Sequence, residues 1–196
     1  MKVKPAKYRI IEGSAPFLVS APHVYSHKRP TLVGRYKQGE PITDLICQQI
    51  CRDTEATGIL ITEEVEYDPN FFKIKRNPYK DETRKIVKDE KKEIFLDIHG
   101  LNDKNQYDIG IYYLSRFSKS KRVARELRRA LDKGELRGIS IQIFRLPEND
   151  QETLSKFIAS KLRIPALQIE VARYIREDEL LRNSLIQNIS NFLNSY

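Results

Sequence analysis

A three-layer α/β sandwich, with a mostly parallel or mixed central sheet flanked by helices, is the fold that the sequence predicts. Short apolar runs rich in β-branched and aromatic residues alternate with longer segments of helical periodicity along the chain. Its 196 residues fit one compact domain, since a single core commonly serves ~100–200 residues. No internal repeat, low-complexity tract or linker divides it, so one domain over residues 1–196 is expected.

Tyr8 to Ile11 and Phe17 to Ala21 read as strands, followed by a loop from His23 to Gly39 that holds Pro30, Gly34 and Gly39. Ile42 to Thr57 has helical periodicity, opened by Pro41 or Thr43 and followed by Gly58. Gly58 to Thr62 is a strand, and Glu64 to Lys80, with Pro69 and Pro78, a second long loop. A helix over Asp81 to Lys92 leads into strands Ile94 to Ile98 and Ile109 to Leu114. Ser118 to Lys133 is a helix stopped by Gly134, and Ile139 to Phe144 a strand. Gln151 to Leu162, Ala166 to Val171 and Glu177 to Leu193 close the chain as helix, strand and helix. Long ordered loops in compact domains are disproportionately functional, which draws attention to both loops.

Composition removes several function classes. Charged residues make up 32% of the chain and apolar ones 40%, a folded rather than disordered balance. No apolar stretch approaches the ~18–20 residues of a membrane span, and the amino terminus lacks the apolar core of a signal peptide, so a cytoplasmic, non-membrane protein is expected. The net charge of +8 permits anionic partners. Acids lie between the basic runs, however, so a solvated, ion-paired surface is favoured over a nucleic-acid stripe, which needs one-sided clustering. High Lys, Arg, Glu and Ile content with one Met and no Trp is a thermophile-like tendency. Cys47 and Cys51, four apart on one helix, read as buried apolar filler.

In open parallel sheets, sites form beyond the carboxyl ends of strands. Phe17 to Pro22 runs into His23, Ile94 to Ile98 into His99, and Leu167-Gln168-Ile169 into Glu170. Two of the three histidines therefore stand at strand ends. Glu40 and Asp44, at the entrance to the first helix, offer a carboxylate, and two imidazoles with one carboxylate suit a catalytic zinc that keeps a position open for water. Plainer readings exist for each: His23 as a loop residue, His99 as an imidazole held by Asp97, and Glu170 as the ion-pair partner of Arg173. His27 has helical spacing from His23, but Pro22 and Pro30 oppose a helix, making it a loop or substrate contact.

Ser20-Ala21-Pro22-His23, Glu40-Pro41-Ile42-Thr43-Asp44, Asp97-Ile98-His99-Gly100 and Leu167-Gln168-Ile169-Glu170-Val171 together resemble the N-formylglutamate amidohydrolase family. That family belongs with the zinc carboxypeptidases and aspartoacylases in a phosphorylase/hydrolase-like α/β fold. The resemblance implies one Zn²⁺ held by His23, His99 and an acid, with Glu170 as general base. Glu40 is the preferred acid, matching relatives that read Glu-Pro-Gly-Thr; Asp44 matches those with Asp-Thr-Asp. Relatives carry an Asn-Arg pair that grips the substrate carboxylate. Here the string is Asp68-Pro69-Asn70-Phe71, which keeps Asn70 and leaves Arg76 or Arg84 to supply the charge.

The expected function is a zinc-dependent hydrolase that cleaves the amide of an N-acylated, for instance N-formyl, amino acid or small peptide-like substrate through metal-activated water. A carboxypeptidase-like or γ-glutamyl peptidase is the alternative within the class. A basic nucleic-acid- or protein-binding module that has lost catalysis is the alternative outside it. Asp97, two residues before His99 and so on the same strand face, is expected to support that histidine from behind.

Overall fold

The computed structural model describes residues 7–29, 36–114, 116–146 and 152–196. Pro30 and Gly34 of the first long loop, and Gln151 at the expected start of a helix, lie outside the described residues. The predicted sandwich is what forms. A seven-stranded mixed sheet contains β1 (Tyr8–Ile11), β2 (Ala15–Ala21), β5 (Ala56–Ile61), β6 (Ile94–Gly100), β7 (Ile109–Tyr113), β8 (Ile141–Arg145) and β9 (Ala166–Val171). Their spatial order is β1-β5-β2-β6-β9-β7-β8. Strands β5, β2, β6 and β9 run parallel, whereas β1 opposes β5 and β7 opposes β9. Two short strands, β3 (His27–Lys28) and β4 (Tyr36–Lys37), pair apart from the sheet; nothing in the sequence marks them.

Period-two alternation decides which layer each side chain enters. Val19, Ala21, Leu96, Ile98, Leu167 and Ile169 face one side, in a core shared with α1 (Thr43–Thr54), α3 (Ser118–Leu131) and α6 (Glu179–Asn194). Leu18, Phe95 and Ala166 face the other side, under α2 (Pro78–Asp89) and α4 (Leu154–Phe157). Toward the carboxyl ends of the strands that second face turns polar. Ser20 pairs with Asp97, Asp97 with Gln168, and His99 with Glu170, so these side chains share one face.

Several helix boundaries depart from expectation. Helix α1 ends at Thr54 in a left-handed Glu55, and Gly58 lies inside β5 rather than closing the helix. Of the two expected openers, Thr43 is the first residue of α1 and Pro41 lies outside it; the N-cap is Ile42 at φ 74°, without a side-chain cap. Helix α2 starts at Pro78, three residues before Asp81, because the buried Asn77 side chain caps it by accepting from the Lys80 amide at 3.0 Å. The helix expected from Gln151 to Leu162 is a single turn, α4, continued as a π-helical turn over 158–162. The helix expected over Glu177 to Leu193 is present as one continuous element. It forms as α6 two residues later, capped by Asp178 through the Leu181 amide at 2.9 Å, and a short α5 (Arg173–Glu177) that the sequence did not mark precedes it. Cys47 and Cys51 are buried free thiols packed in the first core.

Candidate metal centre

Three neighbouring parallel strands deliver the histidines and Glu170. His23 follows β2, His99 ends β6, and Glu170 lies beside His99 in β9. Glu40 arrives from the first long loop, anchored by its amide, which donates to the His23 carbonyl at 2.7 Å. That approach requires Gly39, because a Cβ there would sit 2.5 Å from the Val24 carbonyl oxygen.

His23 Nδ1 is 3.4 Å from Glu40 Oε1, and His99 Nδ1 is 3.1 Å from Glu40 Oε2. All three side chains are buried, and their donor atoms fall within 4.8 Å of one another. The imidazole rings cross at 71° with centroids 4.8 Å apart, so one position can lie in both ring planes, as a shared ligand site requires. His23 Nδ1 is a buried nitrogen with no hydrogen-bond partner, which is expected of a ligand atom facing a cation position. Burial alone would raise the Glu40 carboxyl pKa, but the two histidines outweigh it and hold the group well below the usual range. Two imidazoles and one carboxylate could hold a zinc ion and leave a coordination position open.

The far nitrogens are held by carboxylates. Asp68 Oδ1 accepts from His23 Nε2 at 2.9 Å, and Asp97 Oδ2 is 3.1 Å from His99 Nε2. For His23 this is the carboxylate–histidine arrangement that sets the tautomer of a metal ligand, whereas at His99 Nε2 the directed contact is with Asn70 Nδ2 at 2.9 Å. Asp97 has ion-pair distance to His99, yet neither of its oxygens makes a well-directed hydrogen bond. Charge, rather than hydrogen-bond direction, defines that pair, since Asp97 is fully buried and, among the described residues, ion-paired only with His99. Burial would lower the His99 pKa, and Asp97 and Glu40 together raise it to about 10. Asp68 is depressed despite its burial, chiefly by His23 and Arg29, whose Nε donates to Oδ2 at 2.8 Å.

A second group, His23, His27 and Asp68, also brings three donor types together. Here the rings stack at 4.0 Å with only 10° between their planes. The lone pairs of stacked rings lie in parallel planes, so a cation shared by both would lie about half that separation out of each plane. His27 is fully buried, not a loop contact open to substrate, and its pKa falls to about 4 through burial and the neighbouring His23.

The remaining predicted residues separate. Asp44 is half-buried in the first turn of α1 and is outside the cluster that Glu40 completes. Asn70 is buried with both ends of its amide committed, Nδ2 at 2.9 Å from His99 Nε2 and Oδ1 to the Leu154 amide at 2.7 Å. It therefore braces the site instead of offering a free amide to substrate. Arg84 pairs with Asp81 on the surface of α2, and Arg76 is exposed in a 3₁₀ turn; neither has a bond to the cluster. Glu170 does not pair with Arg173, which binds Glu177 at 2.6 Å. It accepts from Gln168 Nε2 at 2.9 Å, and burial raises its pKa against the opposing charge of His99.

Sequence reasoning missed Asp68, Lys37, Tyr112 and Arg176. Lys37 Nζ is 3.1 Å from Glu40 Oε1. The rings of Tyr107 and Tyr112 close over Gly110, the residue paired with Glu170 across β7 and β9. Burial, Tyr107 and Glu170 all push the Tyr112 hydroxyl pKa up. Asp68 alone carried a local signal, through its place in the Asp-Pro-Asn string.

No protein-family profile matches the chain, and no curated protein matches it. Solved structures do. A gene product from Agrobacterium tumefaciens superposes with a TM-score of 0.69 at 9% identity, over 96% of this chain and 92% of that one. A metallo-carboxypeptidase from Pseudomonas aeruginosa gives 0.62 at 14% identity, covering 96% of this chain and 60% of its own. A succinylglutamate desuccinylase from Chromobacterium violaceum gives 0.62 at 14% identity, covering 93% and 64%. The chain thus spans under two thirds of the length of those two enzymes, and at such identities what it shares with all three is the α/β fold, with its mixed sheet between helices.

Proposed function

We propose that the chain is a zinc-dependent amidohydrolase acting on an N-acylated, for instance N-formyl, amino acid or a small peptide-like substrate. The observation that carries this reading is the convergence of His23 Nδ1, Glu40 and His99 Nδ1, with Glu170 beside His99 on the same sheet face. The fold shared with a metallo-carboxypeptidase and a desuccinylase agrees with it. A bound zinc ion would supply Lewis-acid polarisation of the scissile carbonyl and activation of water.

The chain's own residues do the rest. Glu170 takes a proton from the attacking water and returns it to the leaving amine. Its raised pKa suits both halves of that transfer. The Gln168 amide fixes the carboxylate's orientation. Asp68 and Asp97 hold His23 and His99 with Nδ1 toward Glu40.

Lys37 and Arg176 replace Arg76 and Arg84 as the groups that meet a substrate anion. Both line a cleft with Glu40 and Gly100. Arg176 is 4% exposed; its Nε donates to the Val171 carbonyl at 3.1 Å and its Nη1 to the Pro41 carbonyl. Among the described residues no carboxylate is paired with it. Its nearest opposing charge is Glu40, which two histidines and Lys37 already share, so a substrate anion would add to an incompletely neutralised guanidinium. Gly100 makes room, since a Cβ there would lie 2.9 Å from Arg176 Nη2.

The test is metal content of the purified protein, followed by hydrolysis of N-formyl, N-acetyl and γ-glutamyl substrates, each as carboxylate and as carboxamide. Near-stoichiometric zinc and a preference for the carboxylate forms are expected. A folded protein that takes up no zinc from buffer sinks the proposal.

A further inference from the structure

The basic runs that look interspersed in one dimension are not so in three. Helix α3 carries six cations, Lys119, Lys121, Arg122, Arg125, Arg128 and Arg129, against the single carboxylate of Glu126. Its excess of five positive charges is most of the chain's net +8. The apolar stripe of Val123, Ala124, Leu127 and Leu131 is wholly buried against the sheet and α6. At 100° per residue that burial leaves Arg122, Arg125 and Arg129 near the centre of the outer face, with Lys121 and Arg128 on the flank beside them. Arg122 reaches Glu126 at 3.8 Å, and Arg128 Nε donates to the Ile141 carbonyl at 3.0 Å. Among the described residues no carboxylate comes within 4.0 Å of Lys119, Lys121, Arg125 or Arg129. Like charges at helical spacing repel, so a face of this kind is destabilising by itself and is relieved by a polyanion.

A groove runs beside this ridge, between α3 and α6. Its lining includes Arg122, Arg129, Lys133, Asn191, Phe192 and Tyr196. Tyr196 is 45% exposed and takes a hydrogen bond from Arg122 Nη2 at 3.3 Å. A half-exposed ring held by a guanidinium and backed by the Phe192 ring at 6.0 Å offers a face for a stacked base, and Glu126, the one carboxylate side chain of the lining, is engaged by Arg122. A lipid surface fits less well, because the apolar stripe of α3 is already buried and no large apolar side chain of α3 remains to insert.

We propose that the outer face of α3 and the adjoining α3–α6 groove bind single-stranded nucleic acid, with phosphates on Lys121, Arg125 and Arg129 and a base on Tyr196. This surface lies on the side of the sheet opposite the candidate metal centre, so it stands or falls independently of the hydrolase reading.

The experiment uses the full chain and a fluorescein-labelled oligothymidylate, with anisotropy followed at rising potassium chloride. Each phosphate neutralised adds about 0.7 to the slope of log affinity against log salt. Lys121→Gln/Arg125→Gln/Arg129→Gln should therefore lower that slope by about 2 and weaken binding at least about tenfold. Tyr196→Ala should weaken binding about tenfold without changing the slope, as loss of one stacked base does. An unaltered circular dichroism spectrum and melting temperature establish that the variants fold. The proposal is overturned if the wild type fails to bind at low salt, if the triple variant binds equally well, or if Tyr196→Ala binds as wild type. It is also overturned if phosphatidylglycerol vesicles bind with the same variant dependence and the oligonucleotide does not.

Discussion

His23 belongs to two buried clusters of the same composition class, and they differ in direction. With Glu40 and His99 its ring meets a second imidazole at a steep angle, and the two ring planes intersect near the carboxylate. With His27 and Asp68 the rings are stacked and the donors run side by side. Residue type and burial are alike in both, so the angle between the ring planes is what distinguishes them. The stacked cluster holds His23 by its far nitrogen through Asp68, which Arg29 and the Asn70 amide hold in turn. This leaves Nδ1 free on the convergent side.

The largest expected effect comes from removing a convergent donor. Glu40→Gln should abolish zinc retention through dialysis with the melting curve largely preserved, as should His99→Ala. If Glu40→Gln retains stoichiometric zinc and Asp68→Ala loses it, the ranking of the two clusters is inverted. Glu170→Gln comes next. It should keep zinc and lower turnover by roughly 10²–10⁴, the usual contribution of a general base. Loss of zinc instead would make Glu170 a ligand.

Asp68→Asn and Asp97→Asn remove charge behind each histidine. Zinc affinity should fall about 10–100-fold in each, measured by competition with a chelator. An unchanged affinity in both would leave the far-nitrogen contacts without a role in metal binding.

Proton linkage gives a further check. With its pKa raised to about 10, His99 is protonated in the metal-free protein at neutral pH. A ligating imidazole must give up its Nδ1 proton, so zinc uptake should release about one proton and affinity should fall about tenfold per unit as pH decreases from 9 to 7. The same raised pKa adds stability to the metal-free fold that is present below about 6.5 and lost as pH rises toward about 10. Calorimetry in buffers of different ionisation enthalpy reads the proton directly. The smallest effect is expected for His27→Phe, which keeps a ring on His23 and removes both nitrogens. Zinc affinity within about threefold of wild type would confine the stacked cluster to support.

The seven main strands were legible because alternation and β-branched content are properties of adjacent residues. The same pattern placed His23, His99 and Glu170 at strand ends, and the register then brought them to one face. Hidden from it were the choices made by chain geometry. Glu40 and Asp44 are four residues apart, and the left-handed Ile42 between them starts α1 so that only Glu40 joins the histidines. Asp68 meets His23 across 45 positions and Arg176 meets Pro41 across 135, separations at which no local pattern carries information. Arg84 looked available, yet a neighbour one helical turn away takes its charge. The sequence by itself determined the layers and the edge of the sheet where chemistry gathers, because hydrophobic periodicity and strand direction are local. Tertiary structure decided which carboxylate faces the histidines, how their rings are angled and which cations stand unpaired, because those depend on side-chain direction after distant segments have packed.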